Sequence, residues 1–300
     1  MKLVYYHDAL GNFGDDLNPW LWNRLLPDFF DGREDVLFLG IGTILRQEIP
    51  ADPIKLVFGS GVGYGVPPTI DERWRFYCVR GPLTAERLGI SPDLAITDSA
   101  ALVARVFDAT RYRRRGVAFM PHHASVPLFD WAGLCRRIGI RFLDPAAGVD
   151  RLLRAIASSE LLIAEAMHAA IVADALRVPW VPAVMYDHIN DFKWTDWCRS
   201  LELDYAPVTI SSVYDNSRRR AGRRLQAYLR RVRRTGSLTR QGIAPVQEES
   251  PREARAQAAA ELEALARDES RRRLSTDRML ALRVGQLADA LDRVRADWKR

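Results

Sequence analysis

Cysteine is scarce in this sequence. Cys78, Cys135 and Cys198 are too few and too scattered for a disulfide framework, and none has a metal-ligand spacing. They read as buried filler in a reducing compartment. Long apolar runs are missing too: nothing approaches the roughly 18 residues of a membrane-spanning helix. The opening segment, MKLVYYHDALGNFGDD, has neither a sustained apolar core nor a small-residue cleavage site, so no signal peptide is expected. These absences point to the cytoplasm. A dinucleotide fingerprint is also lacking, because the glycines at 59, 61, 63 and 65 run into Pro67-Pro68 instead of opening a helix. The adjacent pair His122-His123 has no second cluster to complete a zinc site, so no metal is expected.

What is present is ordinary globular composition, 48% hydrophobic and 27% charged, in a chain of 300 residues with room for two cores. The net charge of +6 is uneven. Nine arginines between Arg218 and Arg234 crowd one segment, which suits an anionic lipid surface or serves as a solvated helix face and linker. No aromatic interleaving or nucleic-acid fold signature accompanies it, so nucleic acid is not expected as a partner.

Short apolar runs alternate with helical segments. KLVYY, DVLFLGIGTI, IKLVF and WRFYCV read as strands of the first half. GVAFM, IRFLD, LLIAE and WVPAVMY read as strands of the second, with helices around 126–138, 148–158 and 166–176. That alternation predicts an α/β protein with parallel sheets flanked by helices. The charged break at Arg111–Arg115 suggests domains at 1–112 and 113–213, followed by a basic linker and amphipathic helical tail at 214–300. In the tail, Leu262, Leu265, Leu280, Leu282, Val284, Leu287, Leu291 and Val294 form a partial stripe. It is suited to packing, docking or homo-oligomerisation.

Candidate site residues fall where strands end. Asn12, Gly14, Asp15, Asp16 and Asn18 form a polar loop after the first strand, and Asp16 or Asn18 could cap a helix at 19–26. Arg80 ends a strand just before a helix opening on Pro82; a guanidinium there can clamp an anion or pair with a carboxylate such as Asp98. The histidines of Pro121-His122-His123 cannot both face one way from an extended backbone, so one should reach the cleft. Lys193 can reach an anion. His168 begins a helix directly after a strand, where helix N–H groups bind anions. Ile171, Val172 and Ala175 put its imidazole on the apolar side, so spacing alone fits a core histidine equally.

The ordered set NFGDDLN, GIGTIL, FGSGVGYG, VRGPLTAERLG, ITDSAAL and AEAMHAAIVADALRVPW resembles the polysaccharide pyruvyl transferase family, over roughly residues 1–210. The closest likeness is to the succinoglycan-type ketal pyruvyltransferases. The resemblance implies two Rossmann-like domains facing a cleft, as in GT-B glycosyltransferases, with the acceptor on the first and the donor on the second. It implies phosphoenolpyruvate as donor substrate, no cofactor, and a pair of sugar hydroxyls as acceptor. It places Arg80 and His168 at donor binding or catalysis. Many members carry Arg two residues before that histidine; here the position is Ala166, and Arg80, the helix N–H groups, His123 or Lys193 would have to compensate.

On this reading His168 holds phosphate or acts as general acid, Arg80 binds donor, and Asp15 or Asp16 binds sugar hydroxyls with one serving as base. Asn12 and Gly14 complete the acceptor side. The basic segment suggests a lipid-linked acceptor at the inner face of the membrane. Two alternatives keep the same plan: a nucleotide-sugar glycosyltransferase, or a non-catalytic scaffold in polysaccharide assembly.

Overall fold

The computed structural model describes residues 1–7, 11–215 and 249–298. The basic run from Arg218 to Arg234 lies outside the described residues. Four apolar segments form the first sheet: β1 (Lys2–Val4), β2 (Val36–Leu39), β3 (Ile54–Phe58) and β4 (Trp74–Cys78), adjacent in that order and all parallel. β5 (Val117–Met120), β6 (Arg141–Phe142), β7 (Leu161–Ala164), β8 (Trp180–Val184) and β9 (Val208–Thr209) form the second, in the order β6-β5-β7-β8-β9, again all parallel. The central strands are buried on both faces, which is why they read as unbroken apolar runs rather than alternating ones.

Helix α1 spans Phe13–Leu25 and starts earlier than the proline suggests: Asn12 is its cap, and Pro19 lies inside. Proline offers no N–H to the carbonyl four residues back, that of Asp15. The Asn18 side chain fills the gap, donating to Asp15 O at 3.2 Å. It also donates to Ile41 O and accepts from Ile41 N–H and Trp22 Nε1, pinning α1 to the loop after β2. Asn18 is therefore structural, and neither it nor Asp16 caps the helix.

Among the described residues the further α-helices are α2 (Pro82–Leu88), α3 (Val103–Val106), α4 (Trp131–Arg137), α5 (Val149–Ala157), α6 (Met167–Ala175), α7 (Asp191–Ser200), α8 (Arg252–Arg267) and α9 (Asp277–Trp298). Helix α2 exits through Gly89 in the left-handed region, φ 64°, as its sequence predicts. One apolar core runs through both halves, from Leu17, Trp22, Phe38 and Phe58 to Leu152, Ala170, Val172 and Trp180. Trp20 Nε1 adds a hydrogen bond to Asp150 Oδ1 across the same junction, at 2.9 Å.

The described part of the tail holds a helix pair, and the two helices seat differently. Helix α8 buries Ala258, Leu262 and Leu265 in the core of the second. Helix α9 buries Leu287, Leu291 and Val294 in the shared core, while Leu282 faces solvent. Its other bonds reach Leu25 and Tyr77 of the first half and Ser200 of the second. Between the helices, Arg273 pairs antiparallel with Trp180, and Ser275 bonds the buried Asp174. Among the described residues no helix is long and apolar enough to cross a membrane. The three cysteines are free and buried.

Because Leu287 is fully enclosed, Leu287→Ala should lower stability by about 2–5 kcal/mol in denaturant unfolding. A surface-like loss of a few tenths would mean that α9 is not part of the core.

Candidate active site

The carboxyl ends of both sheets converge on one cleft of about 360 Å³. The segment after β1 brings Tyr6, Asn12, Gly14 and Asp15; those after β2 and β3 bring Thr43, Arg46 and Tyr64. From the other side come His122 and His123 after β5, Ala166 and His168 after β7, and Lys193 on α7 beyond β8. Side chains at such edges are held by strands yet open to ligand.

His168 lies in the first turn of α6, as its position after an apolar strand predicts, and lines the cleft. Its Nε2 points inward, 3.6 Å from Oδ2 of the fully buried Asp98. Its Nδ1 lies against Gly14, where an added Cβ would stand 2.1 Å away. Glycine at position 14 is thus a requirement of His168, not of a turn. Asp15 accepts from Asn12 Nδ2 at 2.7 Å. Burial pushes its carboxyl up to about 6, against the pull of His168, the Asn12 bond and Lys193, while Asp16 pushes the same way as burial. Asp16 itself is half-buried and is not among the described residues that line the cleft.

His122 and His123 both line the cleft, their ring centroids 4.2 Å apart. The alternation expected of a strand fails because the backbone turns here, Ser125 N–H donating to His122 O at 2.8 Å. Burial, reinforced by the positive charge of His123, Lys193, His188 and His168 when protonated, holds the His122 imidazole down to about 2. It is a neutral donor or acceptor. Behind it the buried Glu165 accepts from His122 N–H and Met185 N–H, tying the ends of β5, β7 and β8. Lys193 Nζ donates to Tyr64 Oη at 2.9 Å across the mouth. Tyr6 and Tyr64 are both exposed there.

Arg80 does not reach this space. Its side chain is fully buried, and its partner is Asp196 of α7, not Asp98: Nε donates to Asp196 Oδ2 at 3.0 Å. The other nitrogens donate to Thr43 Oγ1 and Val62 O, each at 2.7 Å. Asp196 also accepts from Thr84 N–H and Oγ1, capping α2 from another helix. A Cβ on Gly61 would lie 2.5 Å from the guanidinium carbon, so this glycine of the loop after β3, the glycine-rich lip of the cleft at 59–65, makes room for Arg80. Among the described residues, Arg80 is connected to the cleft through Thr43 and the lip.

A family model for polysaccharide pyruvyl transferase matches residues 56–188, from within β3 to just past β8. The succinoglycan biosynthesis protein ExoV of Rhizobium meliloti (strain 1021) is 42% identical over 217 residues, covering 70% of this chain and 68% of that protein. The chain belongs to the polysaccharide pyruvyl transferase family. It is a pyruvyltransferase, and the family implies a saccharide as its substrate.

Within this pyruvyltransferase, Ala166 is the cap residue of α6 and lies on the cleft wall, contributing no cation. Arg46 and Lys193 are the lysine and arginine side chains that line the cleft among the described residues. Sequence reasoning singled out Lys193 and missed Arg46, although Arg46 follows GIGTIL at the ligand edge of β2. It also missed Thr43, Tyr6 and Tyr64, and weighed Asp98 only as a partner for Arg80.

Two tests follow. Arg80→Ala leaves Asp196 buried without its counter-charge and should cost about 3–5 kcal/mol of stability; a variant as stable as wild type would return Arg80 to the ligand. Asp15 has a raised folded-state pKa, so the folded state binds its proton more tightly than the unfolded state does. Its contribution to stability is therefore greatest below about pH 4 and falls as pH rises to about 6, by about 3 kcal/mol in all. Asp15→Asn should accordingly be more stable than wild type at pH 8, with the gain vanishing near pH 4 in thermal melts.

Proposed function

We propose that the protein forms a pyruvate ketal on a saccharide, taking the pyruvyl group from phosphoenolpyruvate and releasing phosphate. The observation that carries this reading is the charge of the cleft. Arg46, Lys193 and three imidazoles surround a space in which Asp15 is the sole carboxylate among the described lining residues. Such a lining fits a small donor with up to three negative charges beside one group able to take a hydroxyl proton.

Each half carries an all-parallel sheet whose carboxyl edge faces the cleft. This supports a division into two Rossmann-like domains of GT-B-like arrangement, near residues 1–112 and 113–213. The acceptor would approach Asn12, Asp15 and the exposed rings of Tyr6 and Tyr64, since aromatic faces pack well on the C–H faces of sugars. The donor phosphate would lie toward Arg46, Lys193, His123 and His168, with Arg46 supplying the charge that Ala166 lacks. A lipid-linked oligosaccharide remains the proposed form of the acceptor, motivated by the basic run after residue 217.

The chemistry balances without a redox partner. A proton from His168 joins the methylene carbon of the donor, and positive charge develops at the adjacent carbon. One sugar hydroxyl adds there and loses its proton to Asp15. The bond to the phosphate oxygen breaks, the electron pair leaving with phosphate. The second hydroxyl closes the ketal and gives up its own proton. Two hydroxyl protons are thus released: one restores the acid and the other leaves with hydrogen phosphate.

The test is phosphate release from phosphoenolpyruvate in the presence of a pyruvate-free oligosaccharide acceptor. His168→Ala should lose about 10²–10⁴-fold in kcat. Arg46→Ala should raise KM for the donor, and Tyr64→Ala should raise KM for the saccharide. Turnover that depends instead on a uridine or guanosine diphosphate sugar would replace this reading with glycosyl transfer.

A further inference from the structure

Asp98 is fully buried in the segment between α2 and α3, and one of its oxygens has a conventional task. Oδ1 accepts from Ala100 N–H at 2.9 Å, capping the 3-10 turn Ser99–Leu102. The other oxygen, Oδ2, is sealed from water and has no hydrogen-bond partner; Nε2 of His168 is sealed and unpartnered in the same way. These two atoms face each other at 3.6 Å. Unpartnered polar atoms are costly in an interior, and a carboxylate oxygen more so than most. A proton on Nε2 and an approach of about half an ångström would make both atoms whole.

We propose that Asp98 is the positioning residue of His168, fixing the proton on Nε2 and so reserving Nδ1 as the nitrogen that serves the cleft. The two elements that hold the pair are packed together: α6 lies against the turn that Asp98 caps. Nδ1, the other ring nitrogen, lies beside the cleft-lining Gly14. The ring is therefore oriented from two directions, by a carboxylate at one nitrogen and a residue without a side chain at the other. When His168 is protonated, Asp98 supplies the opposite charge at Nε2, and the proton available for transfer is the one on Nδ1. In the neutral ring Nδ1 carries a lone pair, ready to take up the proton that a sugar hydroxyl releases. A core histidine bonded to a backbone carbonyl would show neither feature.

The inference rests on His168 serving as the acid of the proposed reaction, but its primary test does not involve the donor. Asp98→Asn keeps the Ala100 cap and the side-chain volume while presenting an amide donor to Nε2. Nitrogen-15 NMR of the histidine rings in the full chain, with His168 assigned by its loss in His168→Gln, reads the tautomer directly. The expected result is an Nε2–H tautomer for neutral His168 in wild type, changing to Nδ1–H in Asp98→Asn. Turnover of Asp98→Asn should fall about 10²-fold with KM little changed, while circular dichroism and melting temperature stay near wild type. An Nδ1–H tautomer in wild type would overturn the proposal even if the variant failed to fold. So would a folded Asp98→Asn enzyme with unaltered kcat. If wild type showed the Nε2–H tautomer and the variant lost it, but phosphoenolpyruvate released no phosphate, the pairing would stand and the choice of donor would fall.

Discussion

Arg80 and Asp196 are both excluded from water, and the two halves of the chain meet at their contact. Removing either charge alone leaves the other stranded in a low-dielectric interior, so the pair constrains everything attached to it. The guanidinium fixes Thr43 and the carbonyl of Val62 on the first half. The carboxylate caps α2 while riding on α7, the helix that also presents Lys193. The lip that bears Tyr64 and the helix that bears Lys193 are thus referred to a common point. The arginine in the VRGP motif shapes the cleft from behind without entering it.

Among the described residues that line it, the cleft sets one buried carboxylate among groups that are cationic or can become so. Burial keeps Asp15 poised to change charge near pH 6, and keeps His122 neutral until something anionic arrives. An arriving phosphate or carboxylate offsets the desolvation that suppresses positive charge there, so anion binding and proton uptake are linked. The site is costly to the fold when empty. Asp15 shows this most clearly, because its ionised form is paid for in stability. Such a cost is common where buried polar groups are kept for chemistry.

The strands were legible because burial on both faces writes itself as short apolar runs, and Gly89 was legible because a left-handed exit needs it. His168 was legible in position: a strand followed at once by a helix puts its first turn at the ligand edge. What could not be read were relations across distance. Arg80 and Asp196 are 116 residues apart, and nothing local marks them as partners. Pro19 misdirected the start of α1, because Asn18 silently supplies the donor that proline lacks. The two histidines at 122 and 123 escaped the strand alternation because the chain had already begun to turn.

The placement of the last two helices also sets the energetic cost of opening the cleft. A two-lobed enzyme that opens on a hinge must part its lobes, yet here α8 grips one sheet, α9 spans both halves, and a shared core fills the space between. Parting them would expose apolar surface at about 25 cal/mol per Å² over a large area. Separating Lys193 from the exposed ring of Tyr64 breaks one hydrogen bond and one cation–π contact, each worth on the order of 1 kcal/mol at such a surface. Moving that pair of side chains is therefore the less costly way to widen the mouth of the cleft.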